Sequence, residues 1–236
     1  MSNAEPQTAT EKFEVARAKH TENMKRYNTI CADILRCDKE RKAAIEAGKE
    51  AETNWRSRFR SLRGQLTDEL KAEHSQRIAS RELADEFTGL ISVLELDKQS
   101  AMLACCSSGK AYVEEYRTAF AEITDRHWDA AMKTISPELL WAIRLRLQRE
   151  EVLPTHGEGG SASGAVAALI GSRLTRTASA LPLKMLEEIP ELKNIGMHTP
   201  PLTGVDMDLY RSPASRIKLV ERIRAQREAI EGGKVS

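Results

Sequence analysis

The sequence has 236 residues, of which 41% are hydrophobic, 5% aromatic and 30% charged, with a formal net charge of +1. Near-neutrality excludes the global field that drives phosphate-dominated nucleic-acid binding, and few aromatics beside many charges speak for helices rather than a compact sheet protein. No apolar run approaches a membrane span, and the polar residues 1–10 lack the apolar core of a signal peptide, so residence in a cytoplasm is expected.

Residues 1–10 read as a disordered arm. From Glu11 to Gly48 the pattern is helical: Phe13, His20, Tyr27 and Ile34 recur every seven residues, and Arg17, Met24 and Cys31 follow the first three by four places. Such a repeat suggests the arm of a coiled-coil hairpin, ended by Gly48 as a left-handed terminal residue. A second short helix is expected over 54–62, with Gly64 as its stop.

Thr67 has the chemistry of a helix N-cap, and Asp68 and Glu69 suit the dipole of the first turn that follows. After Leu66 there is no proline before Pro137 and only two glycines, Gly89 and Gly109. A helix over 66–106 would run about 60 Å. Leu83, Phe87, Leu90 and Leu94 form its apolar seam, and its expected partner is the following segment with Tyr112, Tyr116, Phe120, Ile123 and His127. Ser107-Ser108-Gly109 reads equally as a tight turn between these two or as a weak point in one longer helix.

Ser136-Pro137-Glu138 is a helix start, with serine as N-cap, proline at the first position and an acid in the first turn. Leu139, Leu140, Ile143 and Leu147 mark the buried face of the helix, which ends near Glu151. The Gly- and Ser-rich stretch within 152–165 is a linker or hinge. Short helices are expected over 165–174 and 183–189, and Ser212-Pro213 starts a last helix over 214–231. That helix has Ile217, Val220, Ile223 and Ile230 on an apolar side, among Arg216, Lys218, Arg222, Arg224 and Arg227. The organisation is therefore an arm over 1–10, a helical arm and strut over 11–151, a linker over 152–165 and a C-terminal helical segment over 166–236. The fold class is all-α, built of long antiparallel helices with coiled-coil character and elongated.

Little in this pattern supports catalysis. The four cysteines, Cys31, Cys37, Cys105 and Cys106, have no zinc-ligand spacing, and the five histidines include no HxxxH or HExxH pair. His20 and His127 fall on apolar faces, as satisfied seam histidines do. Gly157-Glu158-Gly159-Gly160 lacks the Gly-Lys-Ser or Gly-Lys-Thr of a phosphate loop. Neither an enzyme, a cofactor nor a metal site is expected. Arg56, Arg58, Arg60 and Arg63 surround Trp55 and Phe59, which fits a solvated basic face or a protein-binding surface, where Trp, Phe and Arg are favoured anchors.

Ala16-Arg-Ala-Lys-His20, Asn54-Trp-Arg-Ser-Arg-Phe59, Leu66-Thr-Asp-Glu-Leu-Lys71, Arg81-Glu-Leu83 and Ser212-Pro-Ala-Ser-Arg216 together resemble the capsid size-determination proteins, Sid, of satellite phages. The likeness runs through most of the chain in the same order, is densest over 55–94, and weakens after about Ile135. It implies an external scaffold: copies form a cage around the immature shell of a helper phage's major capsid protein, in the bacterial cytoplasm, and force a small icosahedron. On this reading Trp55, Arg56, Phe59 and Arg60 are expected to contact the shell, and Ile217, Val220, Ile223, Arg224 and Arg227 to mediate self-association. The competing reading is a coiled-coil regulator of a satellite phage, such as a transcription polarity suppressor.

Overall fold

The computed structural model describes residues 8–153 and 161–233. Most of the expected arm over 1–10 and residues 154–160 of the expected linker lie outside the described residues, while Gly164 of that linker lies in the helix Ala162–Ser179. Seven α-helices occur among those described: α1 (Ala9–Ser61), α2 (Asp68–Lys133), α3 (Pro137–Val152), α4 (Ala162–Ser179), α5 (Pro190–Ile195), α6 (Met207–Arg211) and α7 (Pro213–Gly232), with a 3-10 helix at Leu183–Glu188. No strand is present among these residues, and the all-α class expected from the sequence holds. The chain forms two compact units, one of Val15–Tyr112 with Pro201–Ser236 and the other of Met1–Glu14 with Val113–Pro200. The expected C-terminal segment, 166–236, is divided between them.

In the first unit α1 and α2 pack antiparallel. Trp55 lies beside His74, Gly48 beside Ser80, Asn23 beside Ala104 and His20 beside Ser108, so the α2 number rises as the α1 number falls, residue for residue. Burial explains this register. Along α1, Ala16, Asn23, Ile30, Cys37, Ala44 and Ala51 are buried or half-buried at seven-residue intervals, as are His20, Tyr27, Ile34, Arg41, Gly48 and Trp55. Leu70, Arg77, Ala84, Ile91, Lys98 and Cys105 repeat the interval on α2. The His20 row matches the expected one. Of the expected companions Arg17, Met24 and Cys31, the last two are half-buried, but Arg17 is exposed and its neighbour Ala16 is buried instead, because alanine lets two backbones approach where the Arg17 side chain belongs in water.

Several expected boundaries are displaced for similar reasons. α1 does not stop at Gly48 but continues to Ser61, taking in the expected second helix. An added Cβ at Gly48 would lie 3.5 Å from that of Ser80, so the glycine sits against α2, and packing along the hairpin outweighs its cost in a helix interior of about 1 kcal/mol. The real stop is at the expected Gly64. Gly64 N donates to Phe59 O at 3.0 Å and Arg63 N to Arg60 O at 3.1 Å, with φ of 85° and 50° at Gly64 and Arg63. This is a Schellman ending, and it puts an arginine in the left-handed region. Arg63→Gly is expected to raise stability by about 1 kcal/mol in urea unfolding.

Thr67 caps α2 through its hydroxyl, which accepts from Leu70 N at 3.3 Å. The Ser107-Ser108-Gly109 stretch lies inside this one helix, so the residues around Tyr112 cannot fold back as the partner of those around Phe87. Leu83 and Leu90 are exposed, and the inward row is Ala84, Phe87, Ile91 and Leu94. The true partners are α1 and α7, the latter through Gln226, Ala229 and Ile230 alongside Ile91, Leu96 and Gln99.

The segment after Pro200 closes over the hairpin. Val205 is buried with Met102, Cys105 and Cys106, and Met24, Tyr27, Leu202, Leu209 and Tyr210 pack around them. A Cβ on Gly109 would lie 3.2 Å from Leu202 and 3.4 Å from His20, so a side chain there would push the Leu202 methyl back by a few tenths of an ångström. Ser108 donates to Cys105 O at 3.3 Å, which leaves its oxygen to accept from His20 Nδ1 at 3.1 Å. His20 also stacks on Tyr112, with centroids 5.6 Å apart. Burial holds its pKa below the ordinary 6.5 and raises those of the Cys105 and Cys106 thiols. All four cysteines are free, with Cys31 half-buried and the others buried.

In the second unit the first turns of α1 meet the last part of α2. Phe13, 1% exposed, lies 6.0 Å from the Tyr116 ring, and Tyr116 donates its hydroxyl to Gly196 O at 3.2 Å. Arg126 pairs with Glu191 at 3.3 Å, so α5 is held along α2 by its buried Leu192 and Ile195 and by this ion pair. His127 is exposed, contrary to the seam position expected for it. α3 packs against α4 and begins as expected, with Ser136 Oγ accepting from Leu139 N at 3.3 Å. Its inward residues, however, are Ile143, Arg146, Leu147 and Glu150, while Leu139 and Leu140 are exposed.

Candidate interaction surfaces

Two residue groups singled out by sequence lie in the first unit. Trp55 is half-buried near the closed end of the hairpin, stacked on Phe59 with ring centroids 5.2 Å apart and tilted against His74 at 5.6 Å. The Arg77 guanidinium sits 4.8 Å over its ring. Glu52 pairs with Arg56 of its own helix at 2.6 Å and links to α2 through an ion pair with Arg77 at 3.6 Å, and Arg58 reaches Glu73 at 3.0 Å. Trp55 thus faces α2, while Phe59, Arg56 and Arg60 are exposed beside it. This arrangement joins the hairpin's two helices and presents guanidinium groups at its rim.

The C-terminal group is split between two faces of α7. Ser212 caps the helix through Ser215 N at 3.2 Å, and Arg216 ties the turn before it by donating to Leu209 O and Tyr210 O, both at 2.8 Å. Leu219 and Ile223 are buried, and Ile223 lies with Ser100 and Leu103 of α2. Arg227 pairs with Asp97 at 2.7 Å and reaches Ser100 Oγ at 3.3 Å. Ile217 and Val220, expected on the same apolar side as Ile223, are 60% and 52% exposed. Arg224 pairs with Glu228 along the helix at 2.9 Å.

Sequence reading missed a third surface, on α3 in the second unit. Trp141 and Leu145 are 78% and 73% exposed, and Val152 is 68% exposed. The signal is present as a four-three-four spacing through Gln148. It is obscured because Leu139, Leu140, Ile143 and Leu147 offer a rival apolar face on the same helix. No group of three or more His, Cys, Asp or Glu positioned for a metal occurs among the described residues, and no described helix is long and apolar enough to cross a membrane.

No protein-family model matches the chain. It is 28% identical to Glycoprotein 3 of Enterobacteria phage P4 over 214 residues, which cover 89% of this chain and 87% of that one. Among solved structures, a chain of the satellite phage P4 procapsid including size determination (Sid) protein superposes with a TM-score of 0.80. That match has 27% identity and covers 96% of this chain and 97% of the other. The chain is Sid-like. The resemblance read from its motifs therefore extends past Ile135, where those motifs thin out, to nearly the whole length.

Proposed function

We propose that this protein is an external scaffold: it assembles on the immature shell of a helper phage and redirects the major capsid protein to a small icosahedron. The observation that carries the reading is the likeness, end to end, to a chain of a procapsid that includes a size-determination protein. The physical logic is differential affinity. A scaffold changes shell size only if it binds the more curved lattice better than the flatter one, since equal binding to both shifts nothing. Each contact can be weak when many linked copies act together.

On this reading the chain works in the host cytoplasm on the outside of the shell. The hairpin end with Trp55, Arg56, Phe59 and Arg60 is the proposed shell contact, Arg56 and Arg60 meeting the capsid protein and the aromatics holding them in place. The outward face of α7, with Ile217, Val220 and Arg224, is proposed as a contact between copies, while Ile223 and Arg227 secure α7 within its own chain. Co-expression with the helper's capsid protein tests the scaffold reading. Electron microscopy is expected to show one population of shells, smaller than those formed without this protein. Shells of unchanged diameter would defeat it.

A further inference from the structure

From α3 we infer a second contact between copies, in which the outward faces of two α3 helices pair antiparallel about a two-fold axis. The inference deepens the scaffold reading and rests on it for bringing copies close together. It also meets a geometric need. One self-complementary contact makes only dimers, so a closed cage requires at least one contact besides that proposed on α7.

The face is defined by helix geometry. At 3.6 residues per turn, Trp141, Leu145, Gln148 and Val152 fall on one line, opposite the inward row of Ile143, Leu147 and Glu150. Exposed apolar side chains this large, grouped and rimmed by charge, are the usual mark of an interface. The charges beside the line select the occupant. Glu138 lies in the first turn, hydrogen-bonded at the N-cap with Ser136, and Arg149 in the last, 3.6 Å from the buried Glu150, and both project to the same side of the line. A second α3 running antiparallel therefore brings the acid of each copy toward the base of the other, in two equivalent pairs. The opposed helix dipoles favour the same arrangement.

The register follows from placing Leu145 on the axis. Trp141 then lies opposite Arg149 of the second copy, where a guanidinium can stack on the indole, and Glu138 is one turn from the same arginine. A like-charge approach, Arg144 toward its mate, falls at the solvated rim, where salt screens it. A single pair of 16-residue helices covers less than the roughly 800 Å² per partner of a stable complex. The contact is accordingly a weak one, strengthened by the number of copies in a cage.

The full-length chain by itself suffices as the test. Sedimentation velocity is expected to show a dimer that grows with concentration, and Leu145→Asp to weaken it at least tenfold with helicity by circular dichroism unchanged. Glu138→Arg and Arg149→Glu should each weaken it, and the two together should restore it, which a merely misfolded α3 would not do. In a Cys31→Ser background, Leu145→Cys should cross-link between copies at least tenfold faster than Lys39→Cys on α1. Failure of the charge swap to restore association, or equal cross-linking rates, would overturn the pairing. So would a Leu145→Asp protein that self-associates normally yet no longer binds shells, since the face would then belong to the capsid protein. Shells of unchanged diameter would sink the scaffold reading but leave these measurements on the purified chain intact.

Discussion

Ile223→Asp is expected to detach α7 from α2 and to lower stability by about 3–5 kcal/mol, the cost of leaving a charge buried without a partner. Ile223 is 7% exposed and lies with Ser100 and Leu103. The cation one turn on, Arg227, is already held by Asp97 at 2.7 Å, so pairing the new carboxylate with it would break that ion pair. Detachment should be visible as at least tenfold faster hydrogen exchange in 213–232, together with a lower urea midpoint. Ile217→Asp is the control. Its side chain is 60% exposed, and a surface substitution of this kind should stay within about 0.5 kcal/mol. If the two variants unfold alike, α7 is not anchored through Ile223, and the division of its residues into inward and outward sets fails.

That division also marks the limit of what the sequence could reveal. Helix starts were legible because cap chemistry is local: Thr67, Ser136 and Ser212 each accept the expected backbone N–H. The His20, Tyr27, Ile34 row was legible because its side chains are large. The alanine and cysteine row beside it was not, since Ala16, Ala44 and Ala51 are buried for smallness, and a hydrophobic pattern gives smallness little weight. Gly48 and Gly109 look alike as possible breaks. Both instead sit where another part of the chain comes close, against Ser80 in one case and Leu202 in the other. Only tertiary structure distinguishes a glycine that ends a helix from one packed inside it against a neighbouring segment.

The same ambiguity governed the choice of faces. α3 carries leucine on two sides, and α7 carries Ile217 and Ile223 on different ones, so periodicity alone could not say which side is covered. Trp55 presented a related difficulty. An aromatic among arginines has the composition of a binding hot spot, but Arg77 and His74, which occupy its ring, belong to the other helix and become its neighbours only once α1 folds back on α2.

Trp55→Ala is therefore expected to act first on the hairpin and only through it on assembly. Removing the indole takes away the stack on Phe59 and the cation–π contact with Arg77. For a half-buried aromatic the expected loss is about 2–3 kcal/mol, below the roughly 3–5 kcal/mol typical of a fully buried one. The damage should concentrate near the turn, as faster hydrogen exchange over 50–80 with the exchange of 95–110 unchanged. Arg60→Glu separates holding from gripping, because Arg60 is exposed and its reversal should leave stability within about 0.5 kcal/mol of the parent chain. If the hairpin end grips the shell, Arg60→Glu reduces the fraction of small shells in co-expression while the purified chain remains as stable as before. If instead that fraction is unchanged, and Trp55→Ala lowers it only as far as it unfolds the chain, the cluster serves to close the hairpin. The shell contact must then be sought on another surface.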